Sequence, residues 1–238
     1  MKTSFAQSSS QIGTLLRGET GPISGWTAQW DVRRLALHFA IIFIGAGFYG
    51  AAMGWWRDSQ QAFYTAVKLP LIIFLTTFGN ALLNAMLAPL LGLNIPFRQS
   101  FLAILMGFSI AAAILGSFSP LIGFLVWNAP PLSSVQQAQA TYSVILLTHV
   151  AVIAFAGIAA NLRLRNLLRE LGGNSRVAHR VLFAWLAGNL FLGSQLSWIF
   201  RPFIGSPGLP LQFLRAHPLN GNFYEAVLRS FLQLLNFN

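Results

Sequence analysis

Leu35 to Gly54 reads LALHFAIIFIGAGFYGAAMG, 20 residues without an Asp, Glu, Lys or Arg. As a helix, such a run crosses a hydrocarbon core of roughly 30 Å. Comparable runs recur along the chain, and they exclude most soluble folds. Of 238 residues, 55% are hydrophobic and 8% charged, against about 25% charged in a soluble domain. So few charges cannot cover a soluble surface of this size. The mean hydropathy is +0.62. The reading is an all-α integral membrane protein, a polytopic transmembrane helix bundle.

Five spans are expected, at about 35–54, 68–91, 101–127, 142–160 and 181–200. Residues 1–30 read as a polar, partly flexible segment and 31–238 as one transmembrane domain. Asp31 suits the N-cap of the first span, and Trp26, Trp30, Trp55 and Trp56 flank it as interface anchors. Residues 58–67 read as a short interfacial helix. Pro70 then falls in the first turn of the second span, where a missing N–H costs little. The third span is longer than a straight crossing needs, and Gly116–Pro120 predicts a kink or tilt in it. The first 30 residues hold no continuous apolar run that would mark a cleavable signal.

The net charge is +10. In a soluble chain that would suggest nucleic acid, but here Lys and Arg gather in loops beside apolar spans. No nucleic-acid partner is expected. With five spans and the N-terminus inside, the inner segments hold Lys2, Arg17, Arg33, Arg34, Arg98, Arg163, Arg165, Arg169, Arg176 and Arg180. The outer ones hold Arg57, Lys68, Arg201, Arg215 and Arg229, so the count is ten against five. Positive residues stay inside, which predicts a bacterial inner-membrane protein with its N-terminus cytoplasmic and its C-terminus on the outer side.

Several groups of residues carry the functional expectations. Ala46, Gly50 and Gly54 are small and four residues apart, which suits close helix packing or an oligomer contact. The literal G-x-G-x-x-G at Gly45–Gly50 lies inside a lipid-length helix and is not a dinucleotide site. Thr76, Asn80 and Asn84 share one helical face. With His149, Asn189, Gln195 and His38 they form interhelical hydrogen bonds or a polar path. All five acids lie outside the span cores, which disfavours a carrier relying on an intramembrane carboxylate. There is no cysteine, and no metal or cofactor is expected. Arg163, Arg165, Arg169, Arg176 and Arg180 form a basic cluster for anionic lipid headgroups or an acidic partner.

Residues 201–221 are apolar yet broken by Gly and Pro. They are expected to fold back onto the bundle, since unshielded backbone cannot enter hydrocarbon. Phe200 ends the fifth span because Arg201 precedes a proline. Trp198, Arg201, Pro202, Pro207 and Gly208 form an anchor and lid on the outer face, with a type II turn at 206–209. Residues 222–236 read as an amphipathic helix, too short to span, lying in the interface or against the bundle. Asn222 and Glu225 have capping-box-like spacing.

Three segments, AVKLPLIIFLTTFGNALLNAMLAPLLGLNIPFRQSF, SWIFRPFIGSPGLPLQFLR and GNFYEAVLRSF, resemble those of bacterial polytopic membrane proteins whose layout is similar to Yip1-type proteins. The resemblance implies about five helices and a cytoplasmic N-terminus, and it brings no catalytic or ligand-binding residues. The Asp-Leu-Tyr-Gly-Pro type of motif is absent, so no trafficking role is carried over.

The leading expectation is a non-enzymatic structural or accessory subunit of a membrane complex, in contact with the bilayer and forming a homo-oligomer or joining other membrane subunits. A second is an oligomeric channel or transporter lined by Thr76, Asn80, Asn84 and Asn189. A third is an intramembrane enzyme acting on lipid, for which His149 and Ser194 are the available pair.

Overall fold

The computed structural model describes residues 11, 13–14, 17, 31–92, 96–130, 135–172, 175–206 and 209–235. The rest of the segment 1–30, with Trp26 and Trp30, lies outside the described residues, as do Pro207 and Gly208. From residue 31 onward the described chain is all-α, with six helices. These are α1 (Val32–Gly54), α2 (Ser59–Leu90), α3 (Phe97–Trp127), α4 (Val135–Gly172), α5 (Ser175–Ile199) and α6 (Phe223–Leu235).

Four helices are long and apolar enough to cross a membrane: Val32–Gly54, Ser59–Leu87, Phe97–Trp127 and Ala138–Arg163. The expected fifth span falls in α5 but is not among them. Asn189, Ser194 and Gln195, with Gly188 and Gly193, dilute its hydropathy.

Local chemistry explains the starts. The Asp31 carboxylate accepts from the Arg33 N–H at 2.9 Å, as an N-cap should. Asp58 does the same for the Gln60 N–H at 2.7 Å, and Asn222 for the Glu225 N–H at 2.9 Å. The Glu225 carboxylate binds Arg229 at 2.7 Å, so the second half of a capping box is replaced by an i,i+4 ion pair.

Two expectations are corrected. The interfacial helix and second span are one helix, so Pro70 lies well inside α2 rather than in a first turn. Proline removes one i→i−4 bond, but three side chains of this segment, Gln61, Thr65 and Lys68, are buried and bonded to a distant loop, which keeps it packed. The arginine-rich stretch after residue 160 continues α4 to Gly172. Its leucines repeat at helical intervals, and charge alone does not end a helix. The expected third span is α3, one helix with Pro120 inside it. Gly116 is a crossing point: a Cβ there would lie 2.9 Å from the Gly45 Cα.

Helix neighbours run α1, α2, α5, α4, α3 and back to α1, with α2 also touching α3. The core holds Ile42, Tyr49, Leu105, Met106, Ile110 and Trp185. Large apolar side chains also face outward, among them Phe43, Phe48, Phe78, Phe124 and Phe155. Lipid is the solvent that suits such a surface.

The glycine face of α1 is used inside the chain. A Cβ on Gly50 would lie 2.5 Å from the Thr65 carbonyl oxygen, and one on Gly54 2.5 Å from that of Gln61. Ala46 is fully buried in the same core.

Candidate functional site

Between α2, α3, α4 and α5 lies a chamber of about 1270 Å³. Drug-sized pockets occupy about 300–1,000 Å³. Its lining follows α4 from Tyr142 to Asn161, about 28 Å at the helical rise. That is close to a full hydrocarbon thickness. Two stripes form much of the wall: Val150, Ala154 and Gly157 on α4, and Leu186, Leu190 and Gly193 on α5. Ile153 and Ile158 on α4 and Phe183 and Leu190 on α5 line the space yet remain exposed. The chamber therefore opens sideways between α4 and α5, toward the outer apolar surface. A Cβ added at Gly157 would meet nothing within 4 Å.

One end of the chamber is formed by residues of 201–206 and 209–217 and by α6. The chain folds back after α5, and Arg201 holds the fold. Its Nη1 donates to the carbonyls of Trp198 at 2.8 Å and Pro218 at 2.7 Å. Its Nη2 donates to those of His217 at 3.1 Å and Asn220 at 3.0 Å. The guanidinium lies 3.9 Å over the Trp198 ring, and the Trp198 indole N–H donates to Asn220 at 2.9 Å. Arg201 thus satisfies an orphan carbonyl at the α5 end and closes a loop of backbone carbonyls.

The other half of the anchor comes from α2. The Gln61 amide donates to the Pro202 and Phe203 carbonyls at 3.0 and 2.8 Å. The Thr65 hydroxyl donates to Phe203 at 2.6 Å, and the Lys68 ammonium to Pro202 at 2.8 Å. The Arg201–Pro202 peptide is cis. Pro202 and Ile204 are buried, whereas Leu209 is 48% exposed, so the first part of the loop is seated more deeply than the second. The Leu209 N–H donates to Ser206 at 3.3 Å, the bond expected of a turn over 206–209.

α6 closes this end across α4 and α5. The Ser143 hydroxyl donates to Gln233 at 3.1 Å, and the Ser194 hydroxyl to the Tyr224 oxygen at 2.9 Å. Phe223, Ala226 and Val227 line the chamber. Leu228, Phe231 and Leu235 point outward and are about half exposed. α6 therefore packs on the bundle through polar contacts and turns an apolar stripe to the surroundings.

Several intramembrane polar residues bond between helices, while the Thr76 hydroxyl has no partner among the described residues. Tyr49 on α1 meets the His149 Nδ1 on α4 at 2.9 Å. His38 meets the Ser109 hydroxyl at 3.1 Å. The Asn80 amide donates to Asn189 Oδ1 at 2.5 Å and to the Trp185 carbonyl at 3.3 Å. The Asn84 amide donates to Asn80 Oδ1 at 2.9 Å. Thr76, His149 and Asn189 line the chamber, and Asn80 and Asn84 do not. Gln195 is half-buried on α5 and joins neither group. No continuous polar path results. His149 and Ser194 each have other partners and form no dyad.

The basic cluster lies at the opposite end of α5. Arg163, Arg165 and Arg169 are on α4 and Arg176 and Arg180 on α5, all exposed. Arg163 also reaches the Arg17 carbonyl at 3.5 Å.

Sequence reasoning missed Gln61, Thr65 and Lys68 as loop anchors, and Arg215 as a chamber residue. Gln, Thr and Lys at i, i+4 and i+7 on an otherwise apolar helix were the available signal.

No protein-family model, no curated protein and no solved structure matches this chain. The Yip1-like layout therefore reduces to its coarse part, a helical protein with four candidate membrane spans.

Proposed function

We propose that this chain is a non-enzymatic, multi-pass membrane protein that holds a lipid-like amphiphile in the chamber and acts as an accessory subunit in the membrane. The chamber carries this reading. It is long, apolar and open sideways to the surface that faces lipid, the route by which an amphiphile enters without crossing water. The pairing of Asn80 with Asn189 and of Tyr49 with His149 supports a fixed bundle over a pore. His149 and Ser194, bonded elsewhere, offer no acid–base pair for an enzyme.

α5 completes the bundle as a fifth span in this reading. Its 25 residues reach about 37 Å, and it packs along α2 and α4. The N-terminus is then cytoplasmic and the C-terminus on the outer side, by the ten-to-five arginine and lysine count. The basic cluster on α4 and α5 meets the anionic inner leaflet. Gly50 and Gly54 pack against α2, so association with further subunits falls to the outward apolar faces, the α6 stripe included.

Reconstitution tests the reading. The protein should pass no ion or small solute in liposomes and should keep one lipid per chain through purification. Flux that Asn189→Ala abolishes would overturn it in favour of a pore.

A further inference from the structure

The chamber is chemically lopsided. Its lining contains two arginines, Arg201 and Arg215, and no carboxylate among the described residues. Both arginines sit at the loop end, close enough for the Arg215 charge to bear on Arg201. Burial first, and the Arg215 charge second, push the Arg201 guanidinium below its ordinary value. Two of the acids are engaged elsewhere: Glu225 with Arg229 at 2.7 Å, and Asp58 with the first turn of α2. At the other end of the lining stand Asn161 and Phe183, both uncharged.

The two arginines differ. Arg201 places both terminal nitrogens on backbone carbonyls. Arg215 donates from Nη1 to the Pro210 carbonyl at 3.3 Å, and its Nη2 has no acceptor among the described residues. An uncompensated guanidinium beside an apolar space is costly unless an anion meets it. Arg is suited to phosphate through paired N–H donors.

We infer that the amphiphile is an anionic phospholipid, with its phosphate at Arg215 and its tails in the chamber between α4 and α5. This rests on the amphiphile reading above. Dimensions agree with it. The tails of one leaflet reach about half of a roughly 30 Å core, and the lining along α4 is longer than that. Arg201 contributes charge and builds the loop; Arg215 is the headgroup ligand. Net charge selects the lipid, because a zwitterionic headgroup brings its own cation to the pair of arginines.

Native mass spectrometry of the full-length protein, incubated in detergent with equal amounts of phosphatidylglycerol and phosphatidylcholine of matched tails, tests this. The expected result is one lipid per chain, with phosphatidylglycerol favoured about tenfold, because both lipids offer a phosphate and only phosphatidylcholine adds a cation beside two arginines. Arg215→Gln should remove the preference, with phosphatidylglycerol binding falling much more than phosphatidylcholine binding. Arg215→Lys, which keeps the charge and tests the site if the Gln variant fails to fold, should retain part of it. Gly157→Trp, placed in open chamber space, should reduce binding of both. Equal binding of the two lipids by the wild type overturns the headgroup assignment and leaves the amphiphile reading standing. A preference that survives Arg215→Gln also overturns it, because the headgroup then sits elsewhere, for instance at the exposed basic cluster. Absence of any bound lipid overturns both.

Discussion

The Lys68 ammonium donates to the Pro202 carbonyl at 2.8 Å, joining α2 to a loop 134 residues further along the chain. Lys68 is fully buried. It has aromatic neighbours instead of a carboxylate: the ring centres of Phe213, Phe203 and Tyr64 lie 4.8, 5.7 and 6.0 Å away. Cation–π attraction and one carbonyl offset part of its desolvation cost.

That environment predicts a contrast between two substitutions. Lys68→Met keeps the buried stem and removes the charge, and Gln61 still serves the Pro202 carbonyl. The change should be within about 1 kcal/mol of neutral. Lys68→Ala leaves a cavity among three aromatic rings and should cost about 2–4 kcal/mol. Thermal unfolding in detergent measures both.

Arg201 should resist conservative exchange. Lysine cannot stack on Trp198 while serving four carbonyls in a plane. Arg201→Lys and Arg201→Ala should both destabilise the protein, by about 2 kcal/mol or more. Limited proteolysis should then cut within 209–221 well before the helices. A protease-resistant loop in either variant would contradict the anchor role.

Glycines divide by what a side chain would meet. Gly54→Ala places a Cβ against backbone atoms of Gln61 and Ala62, which cannot yield cheaply, so about 1–3 kcal/mol should be lost. Gly123→Ala meets nothing within 4 Å and should be neutral or stabilising by up to about 1 kcal/mol. Melting temperatures should separate the two.

Asn80→Ala should loosen the α2–α5 contact. It strands the Asn189 acceptor and removes one of the two acceptors of the Asn84 amide, leaving the backbone carbonyl of residue 80. A loss of about 1–2 kcal/mol is expected, with no new ion leak in liposomes. A leak would mean that the pair closes a pore.

Some of this was legible in the chain. Asp31 and Asn222 carry cap chemistry that needs only local geometry, and both cap as read. Arg201 before Pro202, with apolar residues behind, announced a folded-back loop. The length of α4 was only partly legible: Arg165 and Arg169 at i, i+4 mark the stretch after residue 160 as helix-like, but its charge hides that it continues the span. The anchors on α2 were hidden for a different reason: Gln61, Thr65 and Lys68 bind carbonyls, and every residue has one. The chamber could not be read at all. Apolar stripes on α4 and α5 specify burial, yet a stripe packed on a helix and a stripe facing a gap share one pattern. Only Gly157, open on its Cβ side, marks the gap, and a lone glycine carries no such message in sequence.

Photo-crosslinking tests the chamber most directly. The wild-type protein, reconstituted with a phospholipid bearing a diazirine near its tail end, is irradiated and its labelled peptides are mapped by mass spectrometry. The account predicts labelling concentrated on the chamber faces of α4 and α5, at Val150, Ala154, Gly157, Leu186 and Gly193, above the outward residues Phe43 and Phe78. Labelling confined to the outward faces would show that the tails surround the bundle without entering it.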